Sequence, residues 1–234
     1  MLTVKDFQDL YRLNAEDGKG LCRGQYYLLN HTRETEDLIQ ADDVEGLAKR
    51  LINSYTGLLF EPLNRYLREE PPHIIKPLLE FCGIMLYKSL DYAPSFSQSV
   101  VYRNEMTSQP ERLHNWFASR VGEVVEFPSF LSTYHNRDHW KQAEPNFRIE
   151  TSENSNGKNI AEYLGKSGEA EVLFKSNTRF KVLAVDDMIH LQETLDEPAH
   201  VLCKDYYYTY DEDGDDEDDE EEHNQPSLSD SGLI

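Results

Sequence analysis

One discontinuity constrains what this chain can fold into. Apolar residues recur at helical spacing up to Leu90 and at strand spacing after Ala93-Pro94. Glu36 to Ser54 carries Leu38, Val44, Leu47, Leu51 and Ile52, which mark one face of a helix. Tyr55 to Glu70 continues with Leu58, Leu59, Leu63, Tyr66 and Leu67, and Pro62 inside it predicts a kink or a helix start nearby. After Pro71-Pro72, a mostly apolar third helix is expected from about His73 to Leu90, deep in the core. Beyond Pro94 the apolar runs are short and rich in β-branched and aromatic residues: 99–104, 123–133, 147–151, 171–174 and 180–185. A short helix over Leu113 to Val121 is the exception. Helices first and strands afterwards is the pattern of an α+β domain with a mostly antiparallel sheet.

Charge divides the chain a second time. Asp205 to Ile234 holds 13 of the 44 acidic residues and none of the 23 basic ones, leaving 31 acids against 23 bases and a net of −8 for the rest. That segment has too little apolar surface to build a core, so 205–234 is expected to be a disordered acidic tail able to hold a basic partner. Residues 1–33 are expected to be an N-terminal extension, and 34–204 the folded domain. An acidic body repels phosphate backbones, so nucleic acid is not the expected partner. No apolar run is long enough to span a membrane. The N-terminal stretch MLTVKDFQDLYRL lacks the apolar core of a secretory signal, which points to action in a cytoplasm, reached by a signal-less route if the protein is secreted.

No metal is expected either. Cys22, Cys82 and Cys203 are too scattered for a disulfide scaffold or a zinc ribbon. His135 and His139 lack an evident third ligand. Asp211, Asp213, Gly214 and Glu220 fall on calcium-loop positions, but Thr209 stands where the first acidic ligand belongs.

Three stretches carry chemistry together. Val100 to Asn104 is a strand ending in Arg103, whose guanidinium fork fits a pyrophosphate. Phe130 to Tyr134 ends in the adjacent hydroxyls of Ser132 and Thr133, which suit a carboxylate or a ribose. Gly168 to Phe174 places Glu169 and Glu171 two residues apart where a loop enters a strand. Residues i and i+2 of a strand share a face. Two carboxylates on one face suit a reaction that builds positive charge, such as the oxocarbenium-like sugar formed when nicotinamide leaves. The second carboxylate can grip a guanidinium, which is always protonated and a poor nucleophile unaided. Each signal is weak alone; their order along one expected sheet domain gives them weight.

These residues resemble a known family. Tyr102-Arg103, Leu131-Ser132-Thr133 and Glu169-Ala170-Glu171 look like the Arg, Ser-Thr-Ser and Glu-x-Glu signature of cholera-toxin-like, arginine-specific mono-ADP-ribosyltransferases. Ser54-Tyr55-Thr56-Gly57 with Asn64 and Leu67-Arg68 is similar to the helix that backs the NAD site in that family, and Glu171 to Phe174 with Phe180-Lys181-Val182 is similar to its closing strands.

The resemblance implies a fold with N-terminal helices on a split, mostly antiparallel sheet, and an enzyme that transfers ADP-ribose from NAD to arginine of a target protein, as a toxin or effector. An NAD glycohydrolase and an inactive fold used as a binding module are the alternatives. By the same resemblance, Glu171 is the catalytic carboxylate and Glu169 engages the acceptor arginine. Arg103 holds the NAD phosphates, with Asn104 beside it. Ser132, next to Thr133, positions Glu171 and touches the nicotinamide ribose. Leu164 to Gly168 reads the target. Tyr134 to Asn146 covers the dinucleotide, with Arg137 and Trp140 as contacts. Two positions depart from the pattern: Asn104 replaces a frequent glycine, and Tyr134 replaces the third hydroxyl.

Overall fold

The computed structural model describes residues 44–68, 76–97, 99–105, 110–137, 146–166 and 170–202. The helical half comes first. Helix α1 (Val44–Ser54) runs through a π-turn (Tyr55–Leu59) into α2 (Phe60–Arg68) without leaving helical backbone angles. The two segments read separately in the sequence are thus one helix, and the part expected before Val44 lies outside the described residues. Pro62 explains the π-turn. It has no amide hydrogen for the Leu58 carbonyl, and the helix widens in the turn before it rather than breaking. Helix α3 (Lys76–Ser89) follows and tightens into a 3-10 turn (Leu90–Tyr92).

The sheet half contains β1 (Val100–Arg103), α4 (Pro110–Ala118), β2 (Val124–Phe127), β3 (Leu131–Tyr134) and β4 (Phe147–Glu150). It continues with β5 (Gly157–Asn159), the one-turn helix α5 (Ile160–Tyr163), β6 (Glu171–Phe174), β7 (Thr178–Val185), β8 (Ile189–Thr194) and β9 (His200–Val201). The apolar run 123–133 divides at Pro128, which has no donor for a ladder. Helix α4 starts and ends three residues earlier than expected, with Pro110 in the first turn, where a missing amide costs nothing. Strands β5, β8 and β9 were not foreseen. In β8 Ile189, Leu191 and Glu193 are buried, an alternation interrupted by polar side chains that hides the strand from composition. The Glu193 carboxylate accepts from the amides of Ser152 (2.9 Å) and Asn156 (2.7 Å), which ties the β4–β5 connection to β8.

Among the described residues the strands form one sheet in the order β5-β6-β3-β1-β4-β8-β7-β2-β9. Only β4–β8 and β2–β9 pair in parallel. The expected split survives as a thin seam. β1 and β3 share one registered pair, Tyr102↔Tyr134, whereas β3–β6 and β1–β4 each share four.

Two apolar clusters lie on opposite faces of the β3–β6 pair. Residues Leu51, Ile52, Tyr55, Leu59 and Leu63 of the long helix join Cys82 and Leu86 of α3, Phe130, and Leu173 of β6. On the other face, Phe117 of α4 packs with Leu131, Val172, Phe174, Phe180 and Leu191. Strand alternation assigns each residue its side: Ser132↔Leu173 and Tyr134↔Glu171 face the helices, and Leu131↔Phe174 and Thr133↔Val172 face the second cluster.

Candidate active site

Glu171 is the first residue of β6 and is 8% exposed. Its Oε1 accepts a 2.7 Å hydrogen bond from Ser132 Oγ on β3. The register puts Tyr134, not Ser132, directly opposite Glu171, so the bond runs diagonally along one face of the pair, within reach of short polar side chains. A carboxylate fixed in this way by a neighbouring hydroxyl presents its charge in a set direction.

Arg103 closes the third side, across the seam. Its Nη1 donates to the Ser132 carbonyl at 2.7 Å, while Nε and Nη2 reach Glu105 Oε2 at 2.7 and 2.6 Å. Arg103, Ser132 and Glu171 are therefore joined by consecutive hydrogen bonds, although 68 positions separate the first from the last. Where β1 and β3 part, a guanidinium bridges them instead of a ladder.

The long helix braces this arrangement from behind. Asn64 Nδ2 donates to the Tyr55 hydroxyl at 2.9 Å, and that hydroxyl donates a long 3.5 Å bond to the Phe130 carbonyl. Arg68 Nε donates to Ser129 Oγ at 3.0 Å. The Tyr55 and Phe130 rings meet edge to face at 5.6 Å. Burial pushes the Tyr55 phenol far above its ordinary range, against the Asn64 bond and the nearby Arg103 and Arg68 charges. Tyr55 therefore stays a protonated donor. The tyrosine, asparagine and arginine singled out on this helix anchor the residues just before Ser132.

Other expected residues fall differently. Thr133 is fully buried, and its hydroxyl donates to the Val172 carbonyl at 2.8 Å. It faces the second apolar cluster and is not brought to the Ser132–Glu171 face. Asn104 lies beside Arg103 with a negative φ, since Asn177 is the sole non-glycine residue with positive φ among those described. Glycine is not required there, so the departure costs no backbone strain. Arg137 is exposed beyond the end of β3. Trp140 and His139 lie outside the described residues, as do Glu169 and the rest of 167–169, so the geometry of the Glu169–Glu171 pair lies outside them too. Strand β6 begins only at Glu171.

Gly165, at φ 68°, follows α5 in a turn. Backbone bonds Gly165 N to Glu162 O and Lys166 N to Ala161 O close the turn. His135 stacks on Phe96 at 5.5 Å. Cys82 is a buried free thiol in the helical core, and Asp186 turns the chain between β7 and β8 by accepting from Met188 N at 3.0 Å. Cys22, Cys203 and the acidic stretch lie outside the described residues.

Glu105 and Asn146 escaped the reading of single residues. Asn146 Oδ1 accepts from Glu105 N at 2.8 Å, and its Nδ2 donates to Glu105 O at 2.9 Å. The signal for Glu105 was present: it stands two residues after Arg103, the spacing that drew attention to Glu169 and Glu171. Nothing in the sequence marks Asn146, which lies 41 positions from Glu105.

Among the described residues no group of three or more His, Cys, Asp or Glu side chains is arranged to hold a metal ion. Nor is any described helix long and apolar enough to cross a membrane. A family model described as ADP-ribosyltransferase exoenzyme matches residues 43–197. No curated protein matches the chain significantly. Among solved structures, the ADP-ribosyltransferase Vis of Vibrio splendidus, in complex with agmatine, is 18% identical with a TM-score of 0.53 over 77% of this chain and 90% of its own. The type III effector XopAI of Xanthomonas axonopodis is 17% identical with a TM-score of 0.55 over 81% and 88%. The Salmonella SpvB domain is 16% identical with a TM-score of 0.51 over 63% and 98%. At these identities the likeness is one of fold.

Proposed function

This chain belongs to the ADP-ribosyltransferase exoenzyme family, and we propose that it transfers ADP-ribose from NAD to arginine side chains of a target protein. The observation that carries the reading is the bonded series Arg103–Ser132–Glu171 at one end of the β3–β6 pair. In the proposed reaction the bond between C1′ of the ribose and the nicotinamide nitrogen breaks, and its electron pair leaves with nicotinamide. Glu171, oriented by Ser132, holds a ribose hydroxyl and stabilises the cationic C1′ more strongly than the ground state. Arg103 holds the phosphates with the guanidinium donors that remain beside its bonds to Ser132 and Glu105. Glu169 grips the incoming guanidinium and takes its proton as the new N–C1′ bond forms. Agmatine, the ligand named with Vis, carries a guanidinium, which favours arginine as the acceptor class.

The catalytic unit is assigned to 34–204. The stretch Leu164 to Gly168 is assigned to target recognition, and Arg137 and Trp140 to covering the dinucleotide. Relatives named as a toxin and as a type III effector favour action inside a host cell after export. The tail 205–234 is assigned to a basic partner, and truncation after Lys204 that left partners unchanged would remove that assignment.

The test is incubation of the full chain with labelled NAD and a cell lysate. Label on protein that neutral hydroxylamine removes is the expected result. Free ADP-ribose without protein label would reassign the site to hydrolysis, and absence of both would leave a binding module. Glu169→Gln should retain NAD cleavage while losing transfer; equal loss of both would end the division of labour between the glutamates.

A further inference from the structure

The ion pair between Arg103 and Glu105 is built with more care than a surface pair needs. Both side chains are mostly buried, at 17% and 15% exposure. The carboxylate sits on a backbone that Asn146 fixes at three points: Glu105 N to Asn146 Oδ1 (2.8 Å), Asn146 Nδ2 to Glu105 O (2.9 Å) and Asn146 N to Arg103 O (3.0 Å). Asn146 is itself tied to β8, since Ile189 N donates to its carbonyl at 2.8 Å. Glu105 is therefore a fixed acceptor, and the long Arg103 side chain is the part that it restrains.

We infer that Glu105 is a positioning residue for the dinucleotide: it holds the Arg103 guanidinium in one orientation, so that its remaining donors are aimed before NAD arrives. This rests on the reading of Arg103 as the holder of the NAD phosphates. A guanidinium has five N–H groups. Glu105 takes two and the Ser132 carbonyl takes one, which leaves two. They sit one on Nη1 and one on Nη2, and the oxygens of a phosphate can take both. The carboxylate cancels part of the arginine charge, so its contribution is one of direction and not of attraction. A carboxylate that merely filled an empty anion site would have the opposite effect: removing it would tighten NAD binding.

The experiment measures NAD titration calorimetry and steady-state NAD cleavage on the full chain for wild type, Glu105→Gln, Glu105→Ala, Arg103→Ala and the double variant Arg103→Ala/Glu105→Ala. The Glu105→Ala variant should raise Kd and KM for NAD by roughly tenfold, with kcat within about twofold. Glu105→Gln, which keeps the shape and one acceptor oxygen, should fall between it and wild type and guards against misfolding as the cause. In the Arg103→Ala background the second change should add nothing, because there is no guanidinium left to aim. An unchanged or lowered Kd in Glu105→Ala, or an equal loss in the Arg103→Ala background, overturns the inference while the phosphate role of Arg103 stands. An unchanged Kd in Arg103→Ala overturns that role, and with it the inference.

Discussion

Ser132 and Thr133 are chain neighbours with hydroxyl side chains, and the β3–β6 pair sends them to opposite environments. Ser132 and Glu171 lie on the face toward the long helix, where a polar pair sits at the strand ends beside Arg103. Thr133 and Val172 lie buried on the face toward α4, the side of the cluster that holds Phe117, Phe174 and Phe180, where the Phe174 and Phe180 rings meet edge to face at 5.3 Å. The chemistry on one face therefore leans on the packing of the other. A packed apolar side fixes the strands, and the fixed strands hold a carboxylate and a hydroxyl within bonding distance. Two strands of four residues each thus serve both roles because their side chains alternate.

Substitutions can break this separation or sharpen it. The largest effect on activity is expected from Glu171→Gln, which keeps the shape and removes the charge: NAD cleavage should fall by roughly a thousandfold. Its thermal midpoint should stay near wild type. On the opposite face, Phe174→Ala should cost about 3–5 kcal/mol of stability in denaturant titrations, while the protein that remains folded cleaves NAD at close to the wild-type rate. If Glu171→Gln unfolded the chain, or Phe174→Ala left stability intact, the two faces would not be separable in this way.

A finer contrast uses the adjacent hydroxyls. Ser132→Ala should lower kcat by about ten- to a hundredfold at little cost in stability, because it frees Glu171 from its orienting bond. Thr133→Val should do the reverse, costing about 1 kcal/mol through loss of the second hydrogen bond to the Val172 carbonyl and leaving NAD affinity alone. An NAD-binding defect in Thr133→Val would return that residue to the site.

The smallest effect lies in the helical core and depends on pH. Burial raises the Cys82 thiol from 9.0 to about 12. The folded state thus keeps a proton that the unfolded chain releases above pH 9. The contribution to stability is whole below that pH and is lost as the pH climbs from 9 toward 12. Replacing Cys82 by alanine should flatten the decline of stability across that window, and an unaltered slope would show that the thiol titrates freely in the native protein.

Much of the site was legible because its residues stand at strand ends, where short motifs survive as contiguous letters. Tyr102-Arg103, Leu131-Ser132-Thr133 and the glutamate at 171 could be read in order, as could the helix carrying Tyr55, Asn64 and Arg68. The joining of the first two helical segments was harder, because a proline marks a place where a helix breaks, bends or widens without saying which. Strand β8 was missed because buried Glu193 and the intervening His190 and Gln192 dilute its apolar pattern. The clamp by Asn146 on Glu105 left no trace at all, since a single asparagine in a connection signals a turn as readily as a long-range bond.

By itself the order of residues determined the class of fold, helices before a mostly antiparallel sheet, and the family signature with its arginine, serine and glutamate. Periodicity and short motifs are local properties, and local spacing is what a linear chain records directly. The tertiary structure alone decided which hydroxyl meets Glu171, that the sheet stays joined by one residue pair at its seam, and that Arg103 is held by Glu105. Those outcomes depend on register and on contacts across tens of residues, and a shift of one position in β3 would exchange Ser132 with Thr133 without altering any motif.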